Sequence, residues 1–399
     1  MTTVLAPYWL LLLTRRSLFG LPVLFLYLSD KGIDDLSIAW CLATLAACQI
    51  VFEVPSGIAS DRLGRRNTLV IAGVLRTVGW MLFSIVPNLS GCLVGFACLG
   101  AAFAFDSGTD AAWLYDTLKE RSAAEQYQKL ESRAHLLGLV ALAGATLVGG
   151  WVSHAGIDVA IQCTVVPMVM SIAAAVMLAE PAFHKPASDR EFLTQVRAGL
   201  KSIWKERLLF QVVLLAAIII AACEVYFRFV QQFVVSALSV EPTHLGYIYC
   251  AWLGVSALGA RAVALLTARH RVVVILRYAV IMLGVSLVWL GGGSTMACLL
   301  LTVVPQLCVG VVPVLVKTEL NASLDSSVRA TTLSCLGFMT SCFVVAAAPL
   351  IGFGISVFGE GVGLVLLGVL ILTSAVGAHV LGMARRLDRQ TTWRASLWG

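Results

Sequence analysis

Ionisable side chains stand in the middle of apolar stretches at four places in this sequence. Arg15 and Arg16 fall halfway along an apolar run at 4–28, and Glu53 lies in a run at 36–59. Asp106 and Asp110 lie in a run at 91–115, and Glu224 and Arg228 in a run at 208–236. The last two are four residues apart, so on a helix they share a face. Charges in such positions are costly in lipid, and each is by default a functional candidate. The chemistry open to them is pairing with one another, holding a polar solute, or carrying a proton. Desolvation raises the proton affinity of a carboxylate and a nearby guanidinium lowers it. A carboxylate moved between the two surroundings, Asp106 or Glu224 here, would take up and release a proton. Plainer roles stand beside these: a static Glu224–Arg228 pair, snorkelling of Arg15 to headgroups, and a structural partner role for Glu53.

The elements that carry these residues are set by composition. Of 399 residues, 59% are hydrophobic and 13% charged, and the mean hydropathy is +0.91. Disorder is excluded and a soluble two-domain enzyme is disfavoured, since soluble chains are about a quarter charged. Twelve apolar runs follow, at 4–28, 36–59, 68–87, 91–115, 133–154, 158–180, 208–236, 243–267, 272–290, 295–317, 330–354 and 360–384. In lipid each is expected to be a helix, because a helix satisfies its own backbone. The first run has no basic leader and carries arginines at its centre, so it reads as a retained span and not as a cleaved signal.

The net charge is +6, and its placement matters more than its size. Arg62, Arg65, Arg66, Lys119, Arg121, Lys129, Arg133, Lys185, Arg190, Arg269, Arg271, Lys317 and Arg329 all fall in even-numbered connections, against Lys31 alone in the odd ones. This predicts both termini in the cytosol and an even number of spans. The longest connection, 181–207, separates residues 1–180 from 208–384 and leaves a tail at 385–399. Ser188 and Glu191 form a capping box, followed by Phe192, Val196, Leu200 and Ile203 at helical spacing. That pattern predicts an amphipathic helix at the cytosolic interface. The eleven cysteines lie inside apolar runs without metal spacing and read as packing residues. The histidines (His135, His154, His184, His244, His270 and His379) are scattered, and no phosphate-binding G-x-x-x-x-G-K-[ST] loop occurs. These absences point away from an enzyme, a metal or other cofactor, and an ATP-driven pump.

The two halves echo each other. Ile33-Asp34 corresponds to Val240-Glu241 at an offset of 207, and Ala145 to Gly149 corresponds to Ala348 to Gly352 at an offset of 203. The Arg62 to Arg66 cluster corresponds to Arg269-His270-Arg271. Such a parallel repeat is common in secondary transporters. The offset of 207 carries Arg16 to position 223, beside Glu224. If the basic loops are cytosolic, Arg15, Arg16 and Asp106 lie at matching depths, ~15–18 Å from that face at ~1.5 Å per residue.

Between the second and third runs the chain reads Gly57, Ile58, Ala59, Ser60, Asp61, Arg62, Leu63, Gly64, Arg65, Arg66. This resembles the signature loop of the major facilitator superfamily, G-x-x-x-D-R-x-G-R-R/K. The stretches Ser107 to Asp116 and Arg329 to Ser334 resemble family sequences at the fourth and eleventh spans. The resemblance implies an all-α membrane protein of twelve helices in two pseudo-symmetric halves with a cavity between them, lined by helices 1, 4, 7 and 10. It implies that Gly57, Asp61, Arg62, Gly64, Arg65 and Arg66 form a conformational gate, with Asp61 latching onto the start of the eleventh helix near Ser327 and Arg329. Arg15, Arg16, Asp106, Asp110, Glu224 and Arg228 would then hold substrate or couple protons, with Glu53 as a second proton or structural site. Arg76 and Arg261 read as structural or snorkelling groups, and Lys317 and Glu319 as shaping the cytosolic gate.

Two family patterns are altered. The position four before Gly108 is Ala104 where many members have Arg, and the antiporter pattern G-P-x-x-G-G keeps only Gly149 and Gly150. The expected function is alternating-access transport of a small molecule across a bacterial inner membrane, with proton-coupled efflux of a drug-like compound or metabolite first. Proton-coupled uptake of a polar solute stands second, and a non-transporting sensor or assembly protein on the same fold third. The expected partners are the solute, protons and lipid. Nucleic acid is not among them, and a monomer is expected.

Overall fold

The computed structural model describes residues 2–181, 207–236, 238–270, 272–293, 298–323 and 326–380. All regular elements among the described residues are helical. Eleven segments are long and apolar enough to cross a bilayer, and the chain is a multi-pass membrane protein. A twelfth helix, Glu360–Val380, is apolar over the shorter stretch Glu360–Ser374. The expected linker helix and the C-terminal tail lie outside the described residues.

Two spans are broken at charged residues where hydropathy predicts single helices, and the tenth is interrupted only at Thr302, beside no charge. The first is split into α1 (Thr2–Arg16), a 3-10 turn at Leu21–Val23 and α2 (Leu24–Asp30). The fourth is split into α5 (Leu89–Asp106) and α6 (Thr109–Glu120), with Ser107 and Gly108 between them. Gly108 sits at φ +71°, a left-handed conformation open to glycine. Both splits fall at the charged residues. Between them run α3 (Asp35–Leu63) and α4 (Arg65–Ile85), and α7 (Tyr127–Val152) and α8 (Ile157–Val176) follow.

The later spans are α9 (Arg207–Ser236), α10 (Leu245–Arg269), α11 (Val272–Gly292), the short α12 (Cys298–Leu301) with α13 (Val303–Ser323), α14 (Ser326–Phe358) and α15 (Glu360–Val380). The chain forms two compact units. One is Met1–Phe192 with Ser239–Leu253, and the other is Leu193–Leu238 with Gly254–Gly399.

Each unit repeats several of the same helix pairings. In the first, α4 packs on α8, α1 on α7 and α8, and α5 on α3 and α4. In the second, α11 packs on α15, α9 on α14 and α15, and α13 on α11. The close contacts match as well. A Cβ at Gly100 of α5 would strike the Leu45 carbonyl of α3, and one at Gly310 of α13 would strike the Ser256 carbonyl of α10. Backbones approach this closely only over small residues, as is usual for helices in lipid. The core of the first unit clusters at the end carrying the signature loop, around Tyr8, Leu11, Leu69, Trp113, Leu130 and Ala174. Trp113 is fully buried, stacks on Tyr8 at 5.3 Å between ring centroids, and donates its indole N–H to the Ala179 carbonyl at 2.8 Å.

Candidate functional site

The breaks in the first and fourth spans create helix ends within membrane-spanning segments, and the sequence furnishes each with a charge. A helix C-terminus favours cations and an N-terminus favours anions. The last turn of α1 carries Arg15 and Arg16, and the first turn of α6 carries Asp110. Arg15 Nη2 pairs with Asp110 Oδ2 across these complementary ends. The other Asp110 oxygen accepts the Ala111 backbone N–H at 2.8 Å. Asp106 is placed less favourably, at the C-terminal end of α5. It is held there by two cations: Arg76 Nη2 bonds its Oδ2, and Arg15 Nη1 stands 3.5 Å from its Oδ1.

Arg76, on α4, takes the structural one of the two roles that the sequence left open. A snorkelling side chain would reach toward water, whereas Arg76 is only 4% exposed and is spent on Asp106. The group therefore ties together α1, α4, α5 and α6. Freed backbone groups near the breaks are taken up locally. Ser17 N–H bonds the Thr14 carbonyl at 3.1 Å, and Gly20 N–H bonds Thr164 Oγ1 on α8 at 2.8 Å. Arg16 points elsewhere. Its stem runs beside Gly138 of α7, where a Cβ would lie 3.6 Å from Arg16 Cγ, and the residue is exposed.

The other candidates are placed as follows. Glu224 and Arg228 lie one turn apart on α9, the first exposed and the second half-buried. Glu53 is half-buried on α3, and its backbone carbonyl accepts Ser56 Oγ at 2.9 Å. Arg261 and Lys317 are exposed and Glu319 is half-buried. The sequence reading passed over several buried polar groups of the second unit: Gln231, Gln232 and Gln306 are each under 5% exposed. Ser256 Oγ donates to the Gln306 carbonyl at 3.0 Å. An uncharged Gln in an apolar run leaves little trace in a hydropathy or charge pattern.

The signature loop forms a second polar centre. Gly64 makes the turn between α3 and α4 at φ +90°. Both oxygens of the Glu180 carboxylate accept backbone N–H groups at the start of α4, Arg65 at 2.7 Å and Arg66 at 2.8 Å. These are otherwise unsatisfied donors at a positive helix end. The positive φ favours glycine there, and a Cβ on Gly64 would stand 2.6 Å from that carboxylate and push it off its N–H partners. The Arg65 guanidinium donates to Ser60 Oγ at 2.7 Å and lies 3.6 Å from both Asp61 and Asp116. Glu180 is absent from the sequence reading, where an acid at the end of a span is an ordinary feature. The expected latch from Asp61 to Ser327 and Arg329 falls on side chains outside the described residues.

Known proteins agree with this architecture. The chain is 23% identical to the uncharacterized MFS-type transporter YxaM of Bacillus subtilis (strain 168), over 57% of each chain. It is 29% identical to an uncharacterized transporter of Buchnera aphidicola subsp. Schizaphis graminum over 26% of each. The chain thus spans little over half the length of the first of these relatives, and less of the second. Among solved structures, nucleoside transporter NupG superposes with a TM-score of 0.75 at 12% identity, covering 94% of this chain and 97% of that one. The D-xylose-proton symporter gives 0.71 at 12%, covering 94% and 95%. Peptide transporter POT in complex with sulfate gives 0.70 at 13%, covering 97% and 95%. At these identities the likeness shows the fold. The sequence model of the Major Facilitator Superfamily matches residues 8–349, nearly the whole of this helical architecture, and the chain belongs to that family.

Proposed function

We propose that this protein is a proton-coupled secondary transporter of a small organic solute, resident in a bacterial inner membrane with both termini cytosolic, and that it works in the direction of export. The observation that carries the reading is the buried charge group at the breaks of the first and fourth spans. Intramembrane carboxylates and arginines at the ends of broken helices are the usual material of solute and ion sites in secondary transporters. Asp106 and Asp110 bind protons or release them as their contacts to Arg15 and Arg76 loosen and re-form. Glu224 and Arg228 of the second unit, with Glu53, are further candidates for the same task. The signature loop acts as the conformational gate, its Arg65 bridges to Asp61 and Asp116 breaking and re-forming during the cycle. A relative by fold is named as a proton symporter, which supports proton coupling. Uptake is the second reading, favoured by Ala104 where many relatives carry Arg and by the loss of all but Gly149 and Gly150 from the antiporter pattern.

The test is accumulation of a panel of dyes, antibiotics and metabolites in an efflux-deficient bacterium expressing the chain, with and without a protonophore. Export predicts lowered accumulation that the protonophore restores, and loss of the effect in Asp110→Asn. Raised, protonophore-sensitive accumulation would move the assignment to uptake. No change for any compound, in cells and in proteoliposomes alike, would refute transport.

A further inference from the structure

We infer that the transported solute carries an anionic oxygen group, a carboxylate or phosphate monoester, and that Arg16 binds it; the inference rests on the transporter reading. Three arginines and two aspartates meet at the breaks. Asp106 and Asp110 are consumed by Arg76 and Arg15, whose side chains are 5% and 9% accessible. Arg16 is the third cation. Among the described residues no acid comes within 4 Å of it, while Asp110 attracts it and Arg15 repels it from farther away. The C-terminal end of α1 explains why a cation is tolerated there, but Arg15 already serves that end, and a dipole does not neutralise a whole charge. One positive charge is left over in this group.

The shape of the surroundings agrees. Arg15 is walled in by its two acids, whereas Arg16 is exposed and its stem lies along Gly138. Even a Cβ added at Gly138 would make only ordinary contact with the Arg16 stem, at 3.6 Å, so α7 leaves that side chain room. A guanidinium presents a planar fork that matches carboxylate and phosphate oxygens two at a time. A solute of one negative charge would complete the balance of the group. A second anionic group on the solute would be set against Asp110, and a phosphate monoester, largely dianionic at about pH 7, would bind through its singly protonated form.

The experiment uses the full-length protein in phosphatidylcholine nanodiscs, with unfolding followed by tryptophan fluorescence. The probes are benzoate, phenyl phosphate and succinate, against uncharged benzamide. At pH ~6, where about half of the phenyl phosphate is singly charged, we expect benzoate and phenyl phosphate to raise the unfolding temperature, succinate to do so less, and benzamide to leave it unchanged. Arg16→Gln should weaken benzoate protection at least tenfold, about 1.4 kcal/mol, and Arg16→Lys should keep part of it. Should Arg16→Gln fail to fold, Gly138→Val crowds the same guanidinium from α7 and should weaken protection likewise. A parallel arm in phosphatidylglycerol nanodiscs separates a soluble anion from a lipid headgroup.

Absence of protection by any anion, equal protection in wild type and in both variants, or protection by phosphatidylglycerol alone would each overturn the inference. Proteoliposome transport of the same probes keeps the two readings apart. Binding through Arg16 without movement refutes transport and leaves the anion site standing. Movement of neutral solutes alone, unaffected by Arg16→Gln, refutes the anion site and leaves transport standing.

Discussion

Removing the Asp106 charge should cost this protein more stability than removing the Asp110 charge, although the two aspartates lie one turn apart in sequence. Asp106 is the acid that holds Arg76, a side chain with 5% accessibility, and it also lies 3.5 Å from Arg15. In Asp106→Asn, Arg76 is left buried without its carboxylate, while Asp110 retains Arg15. Stranding one partner of a buried pair costs about 3–5 kcal/mol. In Asp110→Asn, Arg15 still has Asp106. At 3.5 Å and an effective dielectric near ~20, that contact supplies about 5 kcal/mol of gross attraction, so the net loss is smaller, about 1.5–3 kcal/mol for one charged hydrogen bond. With about 2–4 °C per kcal/mol for a unit of roughly 200 residues, Asp106→Asn should lower the midpoint by roughly 6–20 °C and Asp110→Asn by roughly 3–12 °C.

The assay is the fraction of a fluorescent-protein fusion that stays monodisperse on size exclusion after heating in detergent. The double variant Arg76→Leu/Asp106→Leu supplies the control. Replacing both members of a buried pair with apolar groups is often neutral or stabilising, so it should recover most of the loss. The reasoning fails if Asp110→Asn is the more harmful single change, or if the double variant is as unstable as Asp106→Asn.

Three other expectations follow from single contacts. Glu180→Ala removes both acceptors from the first N–H groups of α4 and should cost about 1–2 kcal/mol, the range for loss of an N-terminal cap; faster hydrogen exchange at Arg65 and Arg66 would report it directly, and unchanged exchange would contradict the capping role. Outside the spans, the Asp34 side chain accepts the Ser37 N–H at 3.3 Å, and the Ser37 hydroxyl, with that backbone hydrogen bond second to it, holds its carboxyl below the usual carboxylate range. The contribution to the start of α3 is therefore full above the free-carboxylate value near ~3.9 and is lost as pH falls through the lower folded value; exchange at Ser37 should accelerate with acid in the wild type and be fast throughout in Asp34→Ala. Gly100→Ala and Gly310→Ala each drive a methyl into a facing carbonyl, of Leu45 and Ser256 respectively, and should lower stability by a similar ~1–3 kcal/mol, the usual cost of overpacking; a large difference in the same heating assay would mean that the two units do not share this contact.

The sequence made some of the charge group legible and hid the rest for identifiable reasons. Arg15, Asp106 and Asp110 were visible because each interrupts an apolar run, and counting residues from the basic loops put Arg15 and Asp106 at matching depths. Arg76 was visible as a charge but not as a partner, since it lies near a basic loop and snorkelling accounts for it equally well. The helix breaks were not visible. Ser17 to Gly20 and Ser107–Gly108 are small or apolar residues inside runs that hydropathy averages over, and glycine is ordinary in membrane helices. Glu180 acts through backbone N–H groups more than a hundred residues away, a relation with no local signature.

The two units share their scaffold but not their polar interior, and that difference bears on where the chemistry resides. Matching helix pairs pack in both, and matching glycines, Gly100 and Gly310, bring matching helices together. Yet the spans that break at charges are the first and fourth, while their counterparts differ: α9 runs on without interruption, and the tenth is interrupted only at Thr302, between α12 and α13. The breaks coincide with the charges because each makes the other tolerable. A helix end inside the membrane exposes unsatisfied peptide groups, which Arg15 and Asp110 answer. A charge inside the membrane needs an oppositely charged partner at hydrogen-bond range, and the paired ends supply one. The second unit buries neutral carboxamides at Gln231, Gln232 and Gln306, which satisfy polar contacts without leaving a net charge. A repeat that began as two like halves would be free to keep symmetric the contacts that build helices into a bundle. Ion-pair chemistry escapes that constraint: one set of partners meets at the breaks of the first unit, while the charges of the second, Glu224 and Arg228, sit one turn apart on a helix that does not break.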